Sequence, residues 1–353
     1  MLNRTESMIT NGKLIGANVD TDAYHRTDKK RGDKDYPIGR SSLMLFAECP
    51  HKWINGYDRK ESKATDWGTL MDCLILTPQD FEKRFVVAPA TYPELGMKCP
   101  KCGSITDAKS CRKCKVDRAQ VSVQKPWNWS AEWCKSWMEE QTPRICITEE
   151  QYLEAKDAKH SVDDSEPMVA VSISQKQVYL VAEWHDKSTG LEIPLKTLID
   201  LVPSLDHATY GHCLADFKTS FTANGERWSK VAAEHNYHVQ AALSLDIYEN
   251  ATGEGRDSWL NVVQENFAPW EVADPIPMLS QEFINEGRKA YRAALAKYCE
   301  CLSSGEWPSY PTGNLVIAPF QIVDPPPWLA MQQMQRHSFD TKPQPAFQSE
   351  MPS

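Results

Sequence analysis

The segment "LKTLIDLVPSLDHATYGHCLADFKTS", residues 195–220, holds two apolar runs that carry acids and are joined by a turn. Both runs read as strands. Apolar residues crowd Asp200 on either side in "TLIDLV", and Asp216 and Lys218 stand two apart in "LADFKTS". Side chains two apart on a strand share a face, so Asp216 and Lys218 point the same way. A lone carboxylate amid "TLIDLV" is costly to bury. Antiparallel pairing through the 203–211 turn brings Asp200 beside Asp216, and two clustered carboxylates repel unless a cation joins them. Mg²⁺ or Mn²⁺ meets that need with oxygen ligands and keeps waters for a substrate phosphate. Lys218 then has a role in orienting a water and meeting charge that grows on phosphorus oxygens. The competing reading is an exposed ion pair worth under about 1 kcal/mol.

Outward from this segment the period is two on the upstream side. "QVYLVAEWHDKSTGLEIPLKTLIDLVP" (177–203) alternates and turns at Ser188-Thr189-Gly190, which predicts a hairpin. With 212–220 it makes three antiparallel strands. Downstream, 227–250 reads as one long amphipathic helix, 258–272 as a strand or strand pair, and 280–305 as a helix ending near Gly305. Toward the N-terminus, 38–57 reads as a helix with Ser41 or Ser42 as N-cap and Pro50 near its stop. Helices are also expected over 67–76, from Thr77-Pro78, over 129–141, and from Thr148, whose capping box is closed by Gln151. Helices, then strands, then helix, strand and helix make an α/β (α+β) core, a mixed central sheet flanked by helices, behind an N-terminal helical region. The polar residues 1–35 read as a flexible arm, 36–325 as the folded domain, and the Pro- and Gln-rich 326–353 as a disordered tail.

Residues 93–127 interrupt this order and read as an insertion with no long periodic segment. Cys99, Cys102, Cys111 and Cys114 follow C-x2-C-x8-C-x2-C, in which two tight turns each offer two thiolates to a tetrahedral site. All four positions are filled by protein, which suits structural Zn²⁺ over a catalytic metal, with an iron–sulfur cluster as the alternative. Lys98, Lys101, Lys109, Lys113 and Lys115 suit a phosphate backbone or a solvated face equally. The other seven cysteines sit mostly among apolar residues and read as core thiols.

Composition sets the outer limits. With 41% hydrophobic and 25% charged residues, the chain suits a globular fold, and it has no apolar run of membrane-spanning length and no signal-peptide core, so a cytoplasmic protein is expected. Eleven cysteines then point to metal or buried thiols rather than disulfides. A net charge of −9 argues mildly against a purely electrostatic DNA binder.

"TLID…ADFKT" resembles the D…(D/E)xK core of the PD-(D/E)xK nuclease superfamily, whose restriction-endonuclease-like core has the layout inferred above. The ordered set of further motifs is similar to its phage-type exodeoxyribonuclease VIII (RecE-like) branch. "SSLMLFAECPHKW" resembles the N-terminal helix of that branch, "WGTLMDCLILTPQDFEKRFVVAP" its second helix, "YHVQAALSLDIY" the helix after the lysine, and "CLSSGEWPSYP" the closing segment. The likeness spans about residues 36–330 outside the cysteine insertion. It implies Asp200, Asp216 and the Phe217 carbonyl as ligands of a catalytic Mg²⁺ or Mn²⁺. It also implies Lys218 as the catalytic lysine, and Gln240 as a residue holding the site face or a DNA phosphate. Asp72 stands where the family has histidine and can still ligate Mg²⁺. Ser244 stands where it has tyrosine, and Tyr248 lies one turn further on. Glu183 is a candidate accessory acid, Trp53 and Trp67 candidate base-stacking residues, and His238 reads as structural. The resemblance implies an exonuclease that degrades duplex DNA from its ends, 5′ to 3′, for phage-type recombination in a bacterial host cytoplasm. It further implies a single-strand annealing protein as partner and a homo-oligomeric ring. The alternatives are an endonuclease or single-strand nuclease of the same fold, or a catalytically inactive DNA-binding recombination scaffold.

Overall fold

In the computed structural model, which describes residues 6–58, 63–310, 316–317 and 320–321, the chain opens on a strand. β1 (Met8–Gly16) leads to the single turn α1 (Thr21–His25), followed by α2 (Arg40–Glu48), α3 (Pro50–Ile54), α4 (Lys63–Leu76) and α5 (Phe81–Arg84). An accessory region then runs through β2 (Phe85–Val87), β3 (Thr91–Lys98), β4 (Ile105–Thr106), β5 (Ser110–Cys111), β6 (Val116–Asp117), β7 (Ala119–Pro126), α6 (Glu132–Gln141) and β8 (Ile145–Ile147). Helices α7 (Glu149–Asp163) and α8 (Met168–Ser172) lead into β9 (Ser174–His185), β10 (Glu192–Pro203) and β11 (Cys213–Ser220). The remaining elements are α9 (Gly225–Glu234), α10 (Tyr237–Thr252), β12 (Ser258–Glu265), β13 (Met278–Leu279) and α11 (Gln281–Ser304). From Pro308 the chain belongs to a second, separate unit, in which β14 (Val316–Ile317) and β15 (Phe320–Gln321) pair antiparallel.

The main sheet has the order β1-β9-β10-β11-β12-β13. Its pairs are antiparallel except β11 and β12, which run parallel because α9 and α10 cross over between them. It is therefore a mixed sheet with helices on both faces. One apolar cluster packs α2, α3, α10 and α11 against Leu180, Trp184, Leu195, Leu214 and Trp259. The other packs α4, α7 and α8 against Leu201, Ala215, Phe217, Leu260 and Val262. β11 thus sends Cys213, Ala215 and Phe217 into one layer and turns Leu214, Asp216 and Lys218 to the other, as alternation requires.

Four local expectations are corrected. Residues 8–16 are a sheet edge rather than part of a flexible arm: Asn250 of α10 accepts from Gly12 N–H and donates to the Ile9 carbonyl, 2.7 and 3.2 Å, and a Cβ at Gly12 would strike the Ala251 backbone. The expected helix over 227–250 is two helices, because Asn236 adopts the left-handed conformation (φ 56°) that short polar side chains tolerate. Gly39, not Ser41 or Ser42, is the N-cap of α2, which stops at Glu48 just before Pro50 as expected, and Pro50 also opens α3. The insertion has regular structure after all, since β3 and β7 pair over eight residues each. The capping box at Thr148 and Gln151 forms as expected. The tail 326–353 lies outside the described residues.

α11 crosses α10 at Gly287, where an added Cβ would collide with the His238 carbonyl. Alanine favours an isolated helix over glycine by about 1 kcal/mol, but overpacking costs about 1–3 kcal/mol, and the collision is with backbone that cannot swing aside. Gly287→Ala is expected to lower the urea midpoint of unfolding, and an unchanged or raised midpoint would show that the two helices are not in this close contact.

Candidate active site

Leu201 pairs with Ala215 across β10 and β11, which sets Asp200 opposite Asp216. Asp200 accepts the Phe217 amide at 3.2 Å, and Gln177 of β9 donates to its other oxygen at 3.2 Å. Lys218 forms an ion pair with Asp216, stands 4.0 Å from Asp200, and donates to the Phe217 carbonyl at 3.2 Å. Its ammonium is therefore ringed by three oxygens. α4 brings a further acid, Asp72, whose charge is felt by Lys218, Asp200 and Tyr237. Gly68, one turn before Asp72, allows this approach: a Cβ there would lie 3.3 Å from the Thr219 hydroxyl on β11.

The electrostatics are those of a cluster short of positive charge. Asp216 is 1% exposed. Burial first, then Asp216, push the Asp200 carboxyl well up from its ordinary value against the pull of Lys218. Burial also pushes Asp72 up to about 7, again with Lys218 drawing it down and Asp216 raising it. Burial alone would drive the Lys218 ammonium toward its neutral form, but Asp216 and Asp200 outweigh it and raise its pKa. One ammonium thus serves three carboxylates. Asp200, Asp216 and the Phe217 carbonyl are oxygen donors of the kind a hard divalent cation takes, and the charge of Asp72 reaches them from α4.

Three residues that the sequence did not single out complete the site. Gln177 is 4% exposed with φ 48°, a backbone conformation rare for a non-glycine residue that clusters at functional sites. Arg40 of α2 donates to Gln240 at 2.8 Å, and Gln240 donates to Asp216 at 2.9 Å. Asn261 of β12 pairs in register with Asp216 and is fully buried, with both ends of its amide unpartnered among the described residues. None of these carried a signal in its neighbouring sequence. Tyr237 supplies the aromatic face: Lys218 Nζ lies 5.3 Å above its ring. Ser244 instead bonds Thr197 at 2.7 Å, and Tyr248 is engaged with Glu254 at 2.9 Å, so Tyr248 does not stand in for the tyrosine expected at 244.

The remaining sequence candidates fall elsewhere. Glu183 is hydrogen-bonded to Asn11 on β1, six residues along β9 from Gln177 and so about 20 Å away. His238 stacks on Phe283 at 4.8 Å between α10 and α11. Trp53 is buried and donates to Ser42 at 2.9 Å. Trp67 stacks on Trp270 at 5.0 Å. A cavity of about 420 Å³ walled by Tyr24, Arg31, Arg40, Asp58, Lys196 and His235 is lined by none of the carboxylates and meets the site only through Arg40, which bonds Gln240.

The second cluster is Cys99, Cys102, Cys111 and Cys114, whose sulfurs all lie within 4.8 Å of one another. Two knuckles build it. Gly103 donates to the Cys99 carbonyl at 2.9 Å and Lys115 to the Cys111 carbonyl at 2.7 Å, with φ of 72° and 51° at these equivalent positions. A hydrogen bond with Ser104 first, and further contacts with Cys99 and Cys114, bring Cys102 down to about 6, while contact with Cys102 first pushes Cys114 up to about 12, so one sulfur favours the thiolate and its neighbour keeps its proton.

Residues 39–315 match the PDDEXK-like domain of unknown function DUF3799, and the chain belongs to that family. No curated protein sequence matches it. Among solved structures it is similar to a candidate exonuclease from Eubacterium rectale, at 13% identity over 90% of this chain and 98% of that one, with a TM-score of 0.49. It is also similar to Rai1 from Scheffersomyces stipitis, at 13% identity over 68% and 59%, with a TM-score of 0.24. Likeness this remote carries no functional inference. Among the described residues no helix is long and apolar enough to cross a membrane.

Asp72 holds a proton in the folded chain up to about pH 7 that the unfolded chain gives up near pH 4. Its contribution to stability is therefore present at low pH and lost as the pH rises to about 7. In protein freed of divalent cations, Asp72→Asn is expected to gain on the wild type by roughly 2–3 kcal/mol between about pH 5 and about pH 8. Thermal or urea unfolding at the two pH values measures this, and a pH-independent difference would show that Asp72 does not sit among the other acids.

Proposed function

We propose that this chain is a metal-dependent deoxyribonuclease that hydrolyses phosphodiester bonds at the carboxylate–lysine cluster, and that it acts as an exonuclease on duplex DNA ends. The observation that carries the reading is the Lys218 ammonium ringed by Asp216, Asp200 and the Phe217 carbonyl, with Asp72 beside them. Asp72, Asp200, Asp216 and the Phe217 carbonyl would hold Mg²⁺ or Mn²⁺. A divalent cation bound there supplies Lewis acidity to the phosphate and lowers the pKa of water.

The protein's own residues do the positioning. Gln240, itself held by Arg40, fixes one oxygen of Asp216 and so the direction in which the carboxylate faces. Gln177 and the Phe217 amide do the same for Asp200. Lys218, once relieved as counter-ion of the carboxylates, orients the attacking water and meets charge growing on the phosphate oxygens. Tyr237 holds it by its ring face and limits its reach. Action at duplex ends enters the proposal by family resemblance. A 5′ to 3′ polarity, a role in phage-type recombination in the cytoplasm, a ring assembly and an annealing-protein partner belong to the same proposal by family resemblance. In the second cluster we assign structural Zn²⁺ to the four sulfurs.

Linear duplex is expected to be degraded and closed circles spared in Mg²⁺, with EDTA abolishing the activity. Lys218→Ala is expected to reduce the rate by at least about 10²-fold, the scale of losing one transition-state charge partner. Cleavage of circles would make the protein an endonuclease. Duplex bound but uncut in both Mg²⁺ and Mn²⁺ would make it a DNA-binding scaffold. Elemental analysis of the purified protein is expected to find about one zinc per chain, lost in Cys111→Ser/Cys114→Ser; iron in its place would assign a cluster instead.

A further inference from the structure

The ribbon of β3 and β7 is attached to the core but takes no part in it. None of residues 93–126 belongs to either apolar cluster. Its root does: Phe85 of β2 and Ile147 of β8 pack in the cluster that holds Leu70, Met71 and Cys73 of α4, the helix that carries Asp72. Strands of eight residues extend about 26 Å. A ribbon of this length, closed by its own four-sulfur cluster, adds nothing to either apolar cluster of the main core.

Charge distinguishes it further. Residues 91–126 carry eight Lys and Arg against three Asp and Glu, in a chain whose net charge is −9. Two of the cations are used internally: Arg118 donates to the Met97 carbonyl at 3.2 Å and also to that of Ser104, and Lys125 pairs with Glu94. The other six, Lys98, Lys101, Lys109, Arg112, Lys113 and Lys115, are exposed and form no ion pair among the described residues. All lie in or beside the two cysteine knuckles. Six exposed cations outside any ion pair give this end of the ribbon a local positive potential in an otherwise acidic chain, which attracts polyanions.

We propose that the cysteine-knotted ribbon is a duplex-binding arm, whose tip cations grip the phosphate backbone of the DNA that is presented to the carboxylate–lysine site. The inference rests on the nuclease reading for the identity of the polyanion. Phosphate contacts of this kind add affinity without base specificity, and each adds about 0.9 to the steepness with which binding falls with salt.

The test replaces Lys101, Lys109, Arg112, Lys113 and Lys115 by Gln in the Lys218→Ala background, and measures anisotropy of a labelled duplex of about 30 base pairs over a salt series without chelator. Loss of at least about tenfold in affinity, with the slope of log K against log salt reduced by about 3, is the expected result. Zinc content and melting temperature check that the ribbon is intact, and a second variant with the four lysines changed to Arg is expected to keep its affinity. Equal affinity and slope for the Gln variant and its parent would overturn the proposal while leaving nuclease activity to stand. Ribbon-dependent binding by a protein that never cuts DNA would overturn the nuclease reading and leave the arm. Absence of duplex binding by the parent would overturn both.

Discussion

Everything at the site depends on one ammonium held among too many carboxylates. Lys218 lies against Asp216, near Asp200 and within the field of Asp72, in a pocket where Asp216 is all but sealed from water. Water reaches Lys218 and Asp200 only in part and Asp216 hardly at all, so these charges depend mostly on one another and on their hydrogen-bond partners. Two of the acids respond by holding their protons more tightly than they would in water. The cluster is held together in the folded chain by these charges and hydrogen bonds alone.

The scaffold that holds this imbalance uses backbone features rather than bulk packing. The break at Asn236 starts α10 afresh, so that Tyr237 and Gln240 fall on its first turn, facing Lys218 and Asp216. Gly68 allows α4 to approach β11 closely, and Gly287 allows α11 to do so with α10. Arg40 ties α2 to the same turn of α10 through Gln240 and the His235 carbonyl. α2, α4 and α10, distant in sequence, are therefore brought to β11 through single polar contacts or one missing Cβ, and α11 packs behind α10.

The two cysteine knuckles show the same economy in a separate place. Left-handed backbone at Gly103 and Lys115 closes two similar turns, and four sulfurs come within bonding range of one ion. The ribbon beneath them was not legible as regular structure, because its alternation is weak: both faces meet solvent, so no apolar stripe marks its strands.

Much of the molecule was written in local pattern. The hairpin of β9 and β10, the acid–x–lysine strand, the capping box at Thr148 and the C-x2-C pairs each depend on residues near one another in the chain, where period and spacing carry the physics. From those alone the antiparallel strands, the Asp200, Asp216 and Lys218 grouping and the four-sulfur cluster could be inferred, whereas the parallel pairing that makes the sheet mixed came only with the family resemblance. Contacts made across the fold were beyond it. β1 looked like a loose arm because its partner Asn250 lies far along the chain. Arg40, Gln177 and Asn261 have nothing unusual about their neighbours in sequence, and acquire meaning only when packing sets them against Gln240, Asp200 and Asp216. Tyr237 rather than Tyr248 covers the lysine because a left-handed residue ends one helix and starts another. Local spacing determines which side chains share a strand face or a turn; only the folded chain sets the distances between elements, and buried charges respond to distance and exclusion of water, not to order in the sequence.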